Sequence, residues 1–243
     1  MPTVTVFAKS EIGLRRSRNE DAFVKRTDLG VFAVADGMGG EAAGNLASKI
    51  FTDTAIEVFS NARKQPGLDI ADLVQESLRV ANERILNEAT VNPRHQGMGC
   101  TAELISFCDQ NFVLGHVGDS RTYCYRQGQL IQITRDHSLV QDQIDHGLLG
   151  PSEARGHALR NVILRAVGVK ETLSVDLIKG KSLAGDIFLL CSDGLTDMVD
   201  DCAIKNVLSL SVHLEQKGEK LVELAKSAGG DDDITVVLCK ILS

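Results

Sequence analysis

Three apolar runs in this chain stop at an aspartate beside a glycine. VFAVADGMGG at 31–40 places Asp36 there, FVLGHVGDS at 112–120 places Asp119, and IFLLCSDG at 187–194 places Asp193. A fourth stretch reverses the order: in GGDDDITVVLC at 229–239, Asp231, Asp232 and Asp233 precede the run. One Asp-Gly turn at a strand end is ordinary, whereas four acid-bearing strand ends make a pattern. If those ends lie together in one core, four or more carboxylates meet, and such a group stays ionised only where cations neutralise it. Arg121 is the basic residue written beside these acids. An all-oxygen donor set without His or Cys favours hard divalent cations such as Mg2+ or Mn2+.

A second cluster stands near the N-terminus, in GLRRSRNEDAFV at 13–24, where Arg15, Arg16 and Arg18 precede Glu20 and Asp21. The planar arginine fork matches two phosphate oxygens. A surface basic cluster is commonly just solvated, and that reading stands for Arg15 and Arg18. Here, however, the cluster adjoins a fifth acid, and phosphate recognition beside divalent cations outlines a phosphoryl-transfer site.

The elements that must position these residues are legible from periodicity. The run at 31–35 is β-prone and continuous, as expected of a strand buried on both faces. Further strands are expected at 102–107, 112–117, 122–126 and 129–134, the last two joined by a tight Gln127-Gly128 turn. Leu46, Ile50, Phe51, Ala55, Val58 and Phe59 recur at helical spacing, as do Ile70, Leu73, Val74, Ala81, Ile85 and Ala89 after a break at Gln65-Pro66-Gly67. A third helical region is expected over 203–228, broken near Gly218 and stopped at Gly229. Hairpins and long helices without regular βαβ repeats suggest an α+β fold, a sandwich of two antiparallel sheets covered by helices.

At 243 residues and 43% hydrophobic, the chain can bury one large core, and a single domain over 1–243 is expected. No apolar segment is long enough to span a bilayer and the N-terminus lacks a signal pattern, so a cytoplasmic protein is the default. The six cysteines form no CxxC pair and read as small buried hydrophobes of a reducing compartment. A net charge of -7 argues against general nucleic-acid binding.

The stretches already quoted, with R-x-x-N-E-D at 16–21, MGCTA at 98–102, TRDHS at 134–138, LRAVG at 164–168 and CSDGLTD at 191–197, resemble the metal-dependent Ser/Thr protein phosphatases of the type 2C family in compact bacterial form. The resemblance runs from about residue 5 to the C-terminus. It implies two antiparallel sheets with helices on both outer faces and the metals at one edge. It further implies that Arg16 holds the substrate phosphate, that Asp36 bridges two core Mn2+ or Mg2+ ions with the Gly37 carbonyl as a further ligand, and that Asp193 and Asp232 complete the core carboxylates. Asp21 and Glu20 match acids that contact the metals largely through water. Asp119 matches the ligand of a third ion shared with Asp193. The implied reaction is hydrolysis of phosphoserine or phosphothreonine on a protein by water activated between two cations, with no phosphoenzyme. The implied partners are a phosphoprotein and a cognate Ser/Thr kinase, and nothing demands more than a monomer.

This chain departs from the family pattern in three places. Met38 stands where many eukaryotic relatives carry a histidine proposed as general acid, so leaving-group protonation is unassigned. Glu41 stands where relatives often have His, and Asp233 where the family usually has Asn. With three consecutive acids, Asp231 or Asp233 could share the role of Asp232. Residues 137–161 resemble the family's flap beside the active site, and read equally well as a surface helix pair. His116 and His137 read as hydrogen-bonded core residues rather than ligands, and Cys100 and Cys191 as core. A phosphoprotein-binding scaffold without activity is the rival reading, expected to have lost metal acids that are all present here. A phosphodiesterase or small-molecule phosphatase on the same fold is a second. A calcium module is poorly supported, since no D-x-D-x-D-G loop occurs.

Overall fold

Strands β3 (Val31–Ala35) and β11 (Ile187–Cys191) are continuous apolar runs because both of their faces are covered. Successive side chains on a strand point to opposite faces. Val31, Ala33 and Ala35 therefore enter one hydrophobic cluster while Phe32 and Val34 enter another. In the same way Ile187, Leu189 and Cys191 part from Phe188 and Leu190. The computed structural model describes residues 2–39, 43–63, 67–154 and 156–242. Gly40, Glu41 and the Gln65-Pro66 part of the expected break lie outside them.

Two five-stranded sheets stack face to face. The first runs β1 (Val4–Glu11), β12 (Ile234–Ile241), β11, β8 (Arg121–Arg126), β9 (Gln129–Gln132). The second runs β10 (Asp176–Lys181), β7 (Asn111–Val117), β6 (Ala102–Cys108), β3, β2 (Ala22–Arg26). Every pairing is antiparallel. A small ribbon joins β4 (Gly37–Met38) to β5 (Gly99–Cys100). Between the sheets the Phe188 ring meets Phe107 edge-on at 5.1 Å, and each such buried aromatic contributes about 2 kcal/mol.

Helices α1 (Gly44–Ala62) and α2 (Ile70–Val91) cover the second sheet with their apolar stripes. The Asp69 side chain starts α2 by accepting the Ala71 N–H at 3.0 Å. The first sheet is covered by α5 (Asp193–Thr196), α6 (Asp201–Ser209) and α7 (Leu214–Ser227). Two short helices, α3 (Leu139–Asp145) and α4 (Pro151–Ala154), fall in the 137–161 segment. The fold class expected from sequence is thus the one observed.

Several element boundaries differ from expectation. The break in the third helical region lies between α6 and α7, at 210–213, whereas Gly218 sits inside α7. A Cβ at Gly218 would lie 2.1 Å from the Phe7 ring, so glycine there permits close packing on β1 and does not end a helix. Strand β9 stops at Gln132, and the Thr134 hydroxyl instead accepts the Thr122 N–H at 3.0 Å. The Gln127-Gly128 turn is as expected, with φ of 49° and 79°, the left-handed pair that suits a two-residue hairpin. Strands β1 and β10 were not read from the sequence. Cys108 is only half-buried and Cys202 is exposed, so the description of the cysteines as buried hydrophobes holds for the other four.

Candidate metal centre

One end of the sandwich collects the acids. Asp36 follows β3, and its main chain is clamped on both sides by Thr101: the Thr101 hydroxyl accepts the Asp36 N–H at 2.9 Å, and the Thr101 N–H donates to the Asp36 carbonyl at 2.8 Å. The same hydroxyl lies 2.7 Å from that of Ser120, the neighbour of Asp119, so two acid-bearing bends share one hydrogen-bond node. Gly37 is required by close approach, since a Cβ there would stand 2.2 Å from the Gly44 carbonyl oxygen and 2.5 Å from that of Glu20. That contact packs the start of α1 and the Glu20-Asp21 segment against the end of β3.

Asp193 opens α5 immediately after β11. Ser192, just before it, donates its hydroxyl to Asp21 Oδ2 at 2.8 Å and receives the Thr235 N–H at 3.0 Å, tying three of the acid-bearing segments together. The 13–16 segment lies against 230–233, with the Leu14 N–H donating to the Gly230 carbonyl at 2.7 Å.

That contact resolves the three consecutive acids. Asp231 is half-exposed and pairs with Arg15 at 3.1 Å. Asp233 is 2% exposed and accepts the main-chain N–H of Gly13 at 2.9 Å and of Glu20 at 2.8 Å. Asp232, between them, lines the cleft and receives Arg16 Nη2. These three residues precede β12, and with Asp231 paired to Arg15 and Asp233 taken up by two main-chain N–H groups, the middle acid is the one that lines the cleft.

The electrostatics are those of crowded carboxylates. Burial first, and then the neighbouring charges, push the carboxyls of Asp21, Asp36 and Asp119 well above the usual range. Asp193 rises to about 7 by burial and the charges of Asp232 and Asp197. Burial also raises Glu20. Arg16, held between desolvation and its pairing with Asp232, moves up. Asp21 Oδ1 and Asp193 Oδ1 are buried without a hydrogen-bond partner among the described residues. Orphaned carboxylate oxygens in an all-oxygen cluster fit hard divalent cations. Among the described residues no three acidic, histidine or cysteine side chains are grouped closely enough to chelate an ion alone.

The cleft has a volume of about 410 Å3 and is lined by Arg16, Glu20, Asp36, Asp119, Asp193 and Asp232, among others. Asp21 lies beneath this lining, bonded to Ser192. A neighbouring cavity of about 500 Å3 shares Asp119, Asn161 and Asp193 with it and is walled by Val140 and Gln141 of α3 and by Ala154 of α4. The 137–161 segment therefore stands beside the acids. Arg160, near its end, contacts Asp197 at 3.3 Å.

Arg121 turns away from Asp119 and forks onto Asp136, with Nη2 to Oδ2 at 2.6 Å. His116 and His137 lie off the cleft in the core, as expected. Burial pushes the Cys100 and Cys191 thiols far up. Sequence reasoning missed Thr101, Ser120, Ser192 and Asp197. The first three adjoin motif residues, and Asp197 stands one helical turn after Asp193, a spacing that places both on one face.

A family profile described as protein phosphatase 2C matches residues 15–227. The chain is 37% identical over 235 residues to the serine/threonine protein phosphatase PstP of Mycobacterium tuberculosis, covering 97% of this chain and 44% of that protein. It is 33% identical over 240 residues to the protein phosphatase PhpP of Streptococcus pneumoniae, covering 94% of each. Among solved structures, the catalytic domain of PstP in complex with two manganese ions superposes with a TM-score of 0.89 at 35% identity, over 99% of both chains. The chain thus spans less than half the length of the mycobacterial relative.

Proposed function

The chain belongs to the protein phosphatase 2C family, and from that premise we propose that it is a metal-dependent phosphatase acting on phosphoserine and phosphothreonine in proteins. The observation that carries this reading is the meeting of Asp36, Asp119, Asp193 and Asp232 with Arg16 in one cleft, with the half-buried Asp21 held behind it by Ser192.

In this reading Asp36, the Gly37 carbonyl, Asp193 and Asp232 would hold two core Mn2+ or Mg2+ ions, with Asp21 and Glu20 as supporting acids, and Asp119 with Asp193 would serve a further ion. A relative with two bound manganese ions supports the cofactor assignment. When bound, the cations lower the pKa of water and neutralise charge on the phosphoryl oxygens.

The chain's own groups do the rest. Arg16 presents five N–H donors, one of which engages Asp232, leaving others for a phosphate at the cleft. Thr101, Ser120 and Ser192 hold Asp36, Asp21 and the Asp119 bend by hydrogen bonds, so the acids keep their places despite mutual repulsion. Hydrolysis needs no protein nucleophile, which agrees with Cys100 and Cys191 being held as neutral thiols. Segment 137–161 serves as a flap over the adjoining cavity, within a single catalytic domain.

The same proposal sets the protein opposite a Ser/Thr kinase, as a monomer in the cytoplasm. Its cysteines are free thiols, as a reducing compartment requires. Among the described residues no helix is long and apolar enough to cross a membrane.

The test is phosphate release from a phosphothreonine peptide with chelator, Mg2+ or Mn2+, and Asp193→Ala as control. Metal-dependent release that the variant lacks is the expected result. No release by folded protein under any metal would overturn the reading and favour a phosphoprotein-binding scaffold.

A further inference from the structure

Between β6, β7 and β8 the apolar packing is interrupted by charge. Glu103 on β6 and His116 on β7 are register partners, and both are fully buried. His116 Nδ1 bonds Glu103 Oε1, and the other Glu103 oxygen accepts the hydroxyl of Thr122 on β8, in the opposite sheet. His116 Nε2 donates to the Arg135 carbonyl at 2.8 Å. A carbonyl only accepts, so Nε2 carries a proton wherever the proton shared with Glu103 resides. Breaking such a buried pair by removing one partner strands a buried charge, yet the intact pair adds little over apolar packing. Its effect is therefore on geometry more than on stability.

Arg135 begins a segment whose next residues reach the cleft by three routes. The His137 N–H donates to the Gly118 carbonyl at 2.7 Å, and the Gly118 N–H donates back to His137 Nδ1 at 3.1 Å, clamping the residue before Asp119 from both sides. The His137 carbonyl accepts the Leu164 N–H at 2.7 Å, and the Leu139 N–H donates to the Val162 carbonyl at 2.8 Å, which fixes both neighbours of Ile163 in the cleft wall. Ser138 caps α3, the first helix of the 137–161 segment. The His137 ring lies tilted against His116 with centroids 4.5 Å apart, and its Nε2 lies 3.2 Å from Asp176 Oδ2 and 3.1 Å from Arg165 Nη1. Glu103, His116 and His137 do not themselves line the cleft.

We propose that Glu103 and His116 are positioning residues: through the Arg135 carbonyl they anchor the 135–138 segment, which places Asp119, the wall at 162–164 and the root of the flap together. The activity part of this inference rests on the phosphatase reading, and its structural part does not.

The experiment compares Glu103→Gln with the double variant Glu103→Gln/His116→Phe. A glutamine at 103 can donate to His116 Nδ1 and accept from Thr122, preserving the chain of hydrogen bonds. The double variant cuts the link to Arg135 without stranding a buried charge. Two quantities are measured: amide hydrogen exchange in chelator-treated protein, and kcat and KM for p-nitrophenyl phosphate at saturating Mn2+. In the double variant the amides of Gly118, His137, Leu139 and Leu164 are expected to exchange about tenfold faster or more, with α1 and α2 unchanged. Its kcat is expected to fall about tenfold with KM nearly constant. Glu103→Gln should stay within about twofold of wild type on both measures. Exchange accelerated evenly through α1 and α2, unchanged exchange at the four amides, or faster local exchange with wild-type kcat would overturn the proposal. A wild-type protein without activity would refute the phosphatase reading instead, and exchange alone would then decide the anchor.

Discussion

Asp193→Asn should stabilise the metal-free protein while abolishing its turnover. The Asp193 carboxyl titrates near 3.8 in an unfolded chain and is raised to about 7 in the fold by burial and the charges of Asp232 and Asp197. A difference of roughly 3 pK units corresponds to about 4 kcal/mol at pH values above both constants. The sign follows from proton counting. Between pH 4 and 7 the folded state holds a proton that the unfolded state has released, so stability falls as pH rises through that window and stays low above it. Asp21, Asp36 and Asp119 are shifted the same way and add to the trend. An asparagine keeps the shape of the side chain without a titrating group. The assay is urea unfolding in chelator at pH 5.5 and pH 8. His116, raised to about 9, and His137, lowered to about 4, titrate in both proteins and cancel in the difference. The advantage of the variant should grow by about 2 kcal/mol between the two pH values and approach 4 kcal/mol at pH 8 as an upper limit. Mn2+ should restore stability to wild type and much less to the variant. An advantage that is flat with pH, or a variant no more stable than wild type at pH 8, would refute the reasoning.

Other substitutions probe the supports of the site. Arg16→Ala should raise KM for a phosphopeptide by about ten- to a hundredfold, the equivalent of losing a charge-assisted hydrogen bond to phosphate, with a smaller effect on kcat; steady-state kinetics read the split. Asp233→Ala strands the N–H groups of Gly13 and Glu20, and should cost about 2–4 kcal/mol in urea unfolding, marking a structural acid rather than a ligand. Gly218→Ala gains about 1 kcal/mol of helix propensity but puts a methyl 2.1 Å from the Phe7 ring. A net loss of roughly 1–2 kcal/mol with unchanged kcat is expected, read by thermal melting and p-nitrophenyl phosphate hydrolysis.

Much of the site was legible in the chain because its acids are written at element ends, where an apolar run stops and a glycine follows. Asp36, Asp119 and Asp193 needed no partner information to be singled out. Their supports were not legible. Ser192 holds Asp21 from 171 positions away, and Arg16 meets Asp232 across 216; no local pattern encodes such pairs. Strands β1 and β10 were missed for a related reason. They are edge strands whose half-exposed faces carry polar residues, and this weakens the apolar signal that betrays a central strand.

The amino-acid sequence by itself determined the sandwich of antiparallel sheets under helices, the hard-cation character of the acidic cluster and the family resemblance, since all three rest on residue types and periods that survive without coordinates. The tertiary structure alone decided which of Asp231, Asp232 and Asp233 faces the cleft, that Arg121 spends its charge on Asp136, and that Gly218 serves a contact and not a helix end. Each of those outcomes depends on segments that meet only in the assembled fold: 13–16 against 230–233, β8 against the loop at Asp136, and α7 against β1. Side-chain direction along a strand alternates residue by residue, so only the assembled sheets determine which groups meet.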